Sequence, residues 1–297
     1  MSTGIEYPMT LADREREYSP SSCIGGNYQP FLDEYQARSE EALQRHAVVL
    51  NLSYGEKASN RLDFFPAPAT ATLPPLLVFI HGGYWQELTK ASSLFPANGC
   101  VPEGIAFAAI DYTLAPEASV LDIVRECRAA LRWLHAQGAA LGFDPQRIVV
   151  AGSSAGAHLA AMCCLRGWAS DPDLPPGLPQ AAVLVSGIYV LEPLIGTSID
   201  AALSLTPNEA ALVSPGLLPL DGFPPALLCW GEFETNEFKR QGTEFASRIS
   251  RARSGSDTDT GISAFEVPSR NHFDVILDLA QRDTPLGDAA LALLARP

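Results

Sequence analysis

Basic residues are scarce in this chain. Over 297 residues, 20 Lys and Arg stand against 34 Asp and Glu, for a formal net charge of −14. Such a balance suits neither a polyanionic nucleic acid nor an anionic membrane surface, so neither is an expected partner. Long apolar runs are missing as well. The longest are strand-sized and well short of the roughly 18–20 residues a membrane-spanning helix needs. Residues 1–16 are polar with mixed charges and lack the basic start and apolar run of a signal peptide, which predicts a cytoplasmic protein. The six cysteines show no CxxC spacing, and the five histidines fall into no metal-ligating pattern with them. Cys127, Cys163, Cys164 and Cys229 sit in apolar stretches and are expected as free, buried thiols in a reducing compartment.

What is present is a core. Hydrophobic residues make up 47% of the chain, which suits one large domain. Residues 1–45 are polar with scattered aromatics (Tyr18, Tyr28, Phe31, Tyr35) and a helical stretch at 34–44, and read as an N-terminal arm or cap. Residues 46–297 read as the main domain. Short strands are predicted at 47–52 and 61–65. Continuous apolar runs follow at 76–80, 105–112, 147–151, 181–188 and 226–230, with a last strand at 262–267. Runs without alternation suit strands buried on both faces of a parallel sheet. Between them, Val120, Ile123, Val124, Cys127, Leu131 and Leu134 recur at helical spacing. Helices are also expected at 155–165 and 235–251, and helical patterns run from 273 to 295. Residues 254–260 read as a polar loop, and 192–223 as an excursion that helps wall a pocket. Strands alternating with helices predict an α/β fold, a mostly parallel central sheet flanked by helices.

Gly152-Ser153-Ser154-Ala155-Gly156 matches G-x-S-x-G between a predicted strand and a predicted helix. That context suits a sharp strand-to-helix turn that exposes the central hydroxyl, so Ser154 is the candidate nucleophile and Ser153 its neighbour. The Ala155 amide, at the helix N-terminus, is placed to meet developing negative charge. His81-Gly82-Gly83-Tyr84-Trp85 directly follows the 76–80 strand. The amides of Gly83 and Tyr84 are the expected oxyanion donors beside Ala155, with Gly82 the alternative. His81 is expected to orient this loop. Trp85 reads equally as core or as pocket wall, and Tyr28 joins it as a candidate pocket residue.

Folds that carry such an elbow place the acid and the histidine after the serine. His272 is the one histidine late enough. His158, one helical turn past Ser154, is expected to pack or hydrogen-bond. The acid belongs just past the 226–230 strand, where Glu232, Glu234 and Glu237 stand. Glu237 reads as a solvated helix charge; Glu234 is preferred over Glu232. Asp274 lies too close to His272 in sequence.

These residues carry a resemblance to the kynurenine formamidase (arylformamidase) branch of the α/β hydrolases, from about residue 18 to the C-terminal helix. His81-Gly82-Gly83-Tyr84-Trp85 is similar to that family's HGGxW signature, and residues 154–159 (SAGAHL) to its nucleophile segment. Gly231-Glu232-Phe233-Glu234, with residues 237–241 (EFKRQ), resembles its acid segment, in which the acid maps to Glu234. Asn271-His272-Phe273 resembles its histidine loop. Residues 111–117 (DYTLAPE) are similar to a structural segment of hormone-sensitive-lipase-like esterases. The chain departs from the pattern in carrying Glu where Asp is usual and Ser153 where a histidine often stands.

The resemblance implies a serine hydrolase acting through an acyl-enzyme, with no metal and no cofactor. Its substrate would be a small-molecule aryl amide or formamide, or, in the alternative, a small-acyl ester. A non-catalytic binding protein on the same fold is the reading from another class, and a homodimer is an open expectation.

Overall fold

The computed structural model describes residues 9–68, 71–253 and 260–296. Most of the polar loop expected at 254–260, and the first eight residues of the expected arm, fall outside them.

Eight strands form one sheet: β1 (Val49–Ser53), β2 (Arg61–Phe65), β3 (Leu76–Ile80), β4 (Ala106–Ile110), β5 (Ile148–Ser153), β6 (Ala181–Val185), β7 (Ala226–Phe233) and β8 (Ile262–Asn271). Their order is β1-β2-β4-β3-β5-β6-β7-β8. The pairs β1–β2 and β2–β4 are antiparallel and the rest are parallel. This is the mostly parallel α/β sheet that the alternating pattern predicts, and it has the architecture of an α/β hydrolase.

The unbroken apolar runs have a direct structural cause. Side chains alternate across a sheet, so a strand covered on both faces needs apolar residues at every position. In β3, Leu76, Val78 and Ile80 enter one hydrophobic core while Leu77 and Phe79 enter the other. In β5, Ile148 and Val150 separate from Val149 and Ala151 in the same way. Helix α3 (Val120–Leu141) covers the first face with its stripe of Val120, Ile123, Val124, Cys127, Leu131 and Leu134. It starts at Ser119, whose hydroxyl accepts the Asp122 amide, and stops at Gly142 in the left-handed region. Helix α4 (Ala155–Cys163) lies on the same face and is buried along its whole length. Its Ala and Gly residues let it approach the sheet closely.

The arm is built into this body. Helix α1 (Leu11–Glu17) is capped by Thr10, and α2 (Gln29–Arg45) follows. Tyr18 enters the first core, and Tyr35 and Ala42 enter the second. All six cysteines are free thiols, five of them buried and Cys23 exposed. Among the described residues no helix is long and apolar enough to cross a membrane.

Some elements differ from their predicted extents. Strand β8 runs on to Asn271 and β7 to Phe233; both carry polar residues beyond the apolar run because their ends leave the core. The C-terminal helical pattern is broken into a short turn at Val275–Asp278 and helix α6 (Pro285–Leu294). Between them Ala280 and Asp283 take positive φ, and Pro285 restarts the helix. The predicted 235–251 helix is α5 (Asn236–Arg253).

Candidate active site

In an open parallel sheet, ligand-binding loops gather beyond the carboxyl ends of the strands. Here the loops after β3, β5, β6, β7 and β8 meet at one end of the sheet.

Ser154 sits between the last residue of β5 and the first of α4, at φ 56° and ψ −121°. Left-handed φ is costly for any residue with a Cβ, on the order of 1–3 kcal/mol, and persists only where the surroundings hold it. Two backbone bonds do so: the Ser154 amide donates to Val185 O at 2.9 Å, and its carbonyl accepts from the His158 amide at 3.1 Å. Close packing completes the turn. A Cβ at Gly156 would lie 2.0 Å from Ile80 O, so only glycine lets α4 cross the end of β3 here.

The loop after β3 runs directly beside this turn. A Cβ at Gly82 would lie 2.8 Å from Ser153 O and 3.3 Å from the Ser154 Cβ. Gly83, Tyr84 and Trp85 all take positive φ. Tyr112 donates its hydroxyl proton to the carbonyls of His81 at 3.0 Å and Gly82 at 3.2 Å, which fixes the way these peptide units face. The amides of Gly83 and Tyr84 bond to no backbone carbonyl among the described residues. The Ala155 amide is the first of its helix and has no intrahelical acceptor. His81 is buried and stacks on Tyr112, with ring centroids 4.2 Å apart, so it supports the loop from behind.

His272 follows the end of β8 and Glu234 the end of β7. Glu234 Oε2 lies 2.8 Å from His272 Nδ1. The other carboxylate oxygen, Oε1, accepts from the Ser186 hydroxyl and from the Gly231 amide, each at 2.6 Å. The carboxylate is thus held at three points, and both partners are buried. With Nδ1 directed at the carboxylate, Nε2 is the ring nitrogen left for other chemistry. Phe238 packs edge-on against the imidazole with centroids 4.6 Å apart.

Ser154, His272, Gly82, Gly83, Tyr84 and Tyr28 all line one cavity of about 360 Å³. The arm supplies part of its wall through Tyr18, Tyr28 and Tyr35, and the excursion after β6 supplies Ser198 and Ile199. The Tyr84 hydroxyl donates to Tyr18 O, tying the loop after β3 to the arm. Tyr28 stacks on Phe273 at 5.3 Å with their planes 6° apart.

Two sequence expectations need correction. Trp85 does not wall the cavity. It is fully buried, and its indole N–H donates to His158 Nδ1 at 3.2 Å. Glu237 is no solvated charge: it is 4% exposed and accepts from Tyr18 at 2.7 Å and from Arg240 and Gln241. Burial pushes its pKa up, but these donors outweigh burial and hold it below the ordinary value. Glu232, the competing acid, is exposed and accepts from the Ser269 amide at 2.8 Å, away from His272. Asp274 accepts from the Asn271 amide at 2.6 Å and so shapes the turn that carries His272. Sequence reasoning missed Ser186, the hydroxyl that holds Glu234. Its position just past β6 was the available signal, since functional groups collect at these strand ends.

His158 carries a testable pH dependence. Its Nε2 donates to Val213 O at 2.6 Å while Nδ1 accepts from Trp85. Burial lowers its pKa from 6.5 to about 4, and protonation would set two N–H groups against each other. The unfolded chain therefore binds a proton that the folded one does not as pH falls from about 6.5 to about 4. Stability from this group is present above that window and lost through it, up to about 3 kcal/mol. Urea unfolding at pH 7 and pH 4.5 checks this. His158→Gln, which keeps a donor and an acceptor, is expected to flatten the slope.

Among the described residues no cluster of His, Cys, Asp and Glu could hold a metal ion. The family model BD-FAE matches residues 62–173. A kynurenine formamidase from Salmo salar is 27% identical over 97% of this chain and 98% of its own length. An isoprenylcysteine α-carbonyl methylesterase from Arabidopsis thaliana is 32% identical over 40% of this chain and 28% of its own. Among solved structures, a putative thioesterase from Silicibacter sp. TM1040 superposes with a TM-score of 0.78 at 26% identity, covering 95% of this chain and 98% of that one. The sheet, the elbow and these full-length similarities agree: the chain has the α/β-hydrolase fold, is similar to kynurenine formamidases over 97% of its length and is an enzyme of the amidase and esterase type.

Proposed function

We propose that the protein is a serine hydrolase that cleaves aryl amides or formamides, with Ser154 as nucleophile, His272 as general base and Glu234 as the acid that orients it. The observation that carries this is the pairing of His272 Nδ1 with Glu234 at 2.8 Å beside a cavity that Ser154 also lines.

Ser154 Oγ bonds to the substrate carbonyl carbon and gives its proton to His272 Nε2. The carbonyl oxygen becomes an oxyanion, which the amides of Gly83, Tyr84 and Ala155 stabilise; each such donor is typically worth about 3 kcal/mol in the transition state. The tetrahedral intermediate collapses as His272 hands the proton to the leaving arylamine. Water then attacks the acyl-enzyme, His272 again takes the proton, and collapse frees the acid and returns Ser154. Tyr28, Phe79, Phe95 and Phe273 give the cavity walls that suit an aromatic leaving group.

A carboxylesterase acting on small-acyl esters would use the same groups. The partial similarity to plant methylesterases supports that second reading. The test compares kcat/KM for an aryl formamide, an acetanilide and a short p-nitrophenyl ester, with Ser154→Ala as control. Amide turnover lost in the variant supports the amidase; inert amides beside a good ester move the activity to the esterase. Turnover that survives in Ser154→Ala sinks both.

A further inference from the structure

The charge of the cavity wall is one-sided. None of the chain's 20 Lys and Arg residues lines it, and all of them lie among the described residues. Two carboxylates do line it, Glu15 and Glu87. Glu87 stands just past the loop after β3, and its amide donates to Gly83 O at 2.9 Å. Its side chain is exposed and has no ion-pair partner among the described residues. Glu15, on α1, accepts from the Ser198 amide and hydroxyl, each at 2.6 Å, so it sits on the seam between the arm and the excursion. Those donors hold its pKa down, which keeps it ionised at neutral pH. Its neighbour Arg14 turns away and donates to the carbonyls of Pro193 and Ile195. Among the described residues His272 is the remaining ionisable nitrogen on the wall, and a general base works uncharged.

An anionic group that enters this cavity leaves water, finds no Lys or Arg among the lining residues and meets two carboxylates. The free amides of the oxyanion site do not help it, since the reacting carbonyl occupies them. A neutral arene meets aromatic walls. A cation gains both carboxylates.

We propose that the cavity selects its substrate by charge: it takes neutral or cationic aryl substrates and rejects those whose aryl part carries a carboxylate, sulfonate or phosphate, with Glu87 and Glu15 as the specificity-determining residues. This rests on the hydrolase reading above and narrows its substrate class.

The experiment uses three phenyl acetates matched except at the para position, bearing a carboxamide, a carboxylate or a trimethylammonium group. Rates are divided by those of uncatalysed hydrolysis to remove leaving-group differences. The carboxylate is expected to show kcat/KM at least tenfold below the carboxamide, and the trimethylammonium compound to equal or exceed it. Glu87→Gln should narrow the ratio of neutral to anionic substrate at least threefold. Glu56→Gln, the same charge change at an exposed glutamate that does not line the cavity, should leave the ratio unchanged and so separates the wall from the overall charge of −14. A carboxylate substrate as good as the neutral one overturns the proposal, and so does a ratio that Glu87→Gln and Glu15→Gln leave untouched. Binding of the same three phenyl acetates, whose ester carbonyl occupies the amides, to the Ser154→Ala protein, followed by ligand-observed NMR, scores the same preference without turnover. Failure of the chemistry and failure of the charge preference are thereby distinguished.

Discussion

Ser154→Ala is expected to lower kcat by about 10⁶-fold while leaving the fold intact, because removing a triad serine typically removes almost all of the chemistry. The residual rate would come from the oxyanion amides and substrate binding alone. The fold should survive because nothing that shapes the elbow uses the hydroxyl. The turn is held by the bonds to Val185 O and from the His158 amide, both of which belong to the backbone. Alanine keeps the Cβ and so sits at φ 56° with the same strain as serine. Two measurements check this. Steady-state kinetics reads the loss, and an aryl phosphonate should add its mass to the native protein at Ser154 but not to the variant. Labelling at Ser153, which also lines the cavity, would move the nucleophile by one residue.

Glu234→Gln is the second large effect, expected at about 10⁴-fold in kcat by the logic of a misdirected tautomer. The direction follows from the bonds around this carboxylate. Ser186 and Gly231 both donate to Oε1, so a glutamine must put its oxygen there. Its NH₂ group then faces His272 Nδ1 across the 2.8 Å contact. The imidazole can answer only by accepting at Nδ1, which places its proton on Nε2, where Ser154 needs a base. The variant should fold, since a neutral side chain of the same shape keeps every bond. Glu234→Asp should recover part of the activity, as it restores the acceptor at the cost of reach. Glu232→Gln should change kcat/KM by no more than about twofold, because that exposed side chain accepts from the Ser269 amide and does not meet His272. Equal losses at Glu232 and Glu234 would overturn the assignment of the acid.

The parts of this site that read plainly from sequence are those governed by local rules. The apolar runs of β3 and β5 declare a sheet covered on both faces. The serine motif declares itself through its glycines, because the close approach of Gly156 to the end of β3 excludes any side chain. What sequence hides depends on contacts between distant segments. Glu237 reads as a surface helix charge by spacing, yet Tyr18, 219 residues away, covers it and donates to it. Trp85 adjoins Gly82 and Gly83 in sequence, but its positive φ turns the indole inward to His158. Ser186 stands in no motif at all; it matters because strand order places β6 beside β7 and so brings its hydroxyl to Glu234.

The seams of the cavity set how this protein can change over generations. The proposed reacting groups Ser154, His272 and Glu234 stand at the ends of sheet strands, where a shift of backbone disturbs both cores. Part of the wall comes instead from the arm and the excursion after β6, joined by Glu15 to Ser198, while Tyr84 ties the arm to the loop after β3. These pieces lie over the sheet and form none of its ladder. Mutations there can widen, narrow or recharge the entrance while the chemistry beneath stays as it is. New substrate preferences are therefore most accessible to selection, natural or in the laboratory, through edits at residues 15–35 and 198–199.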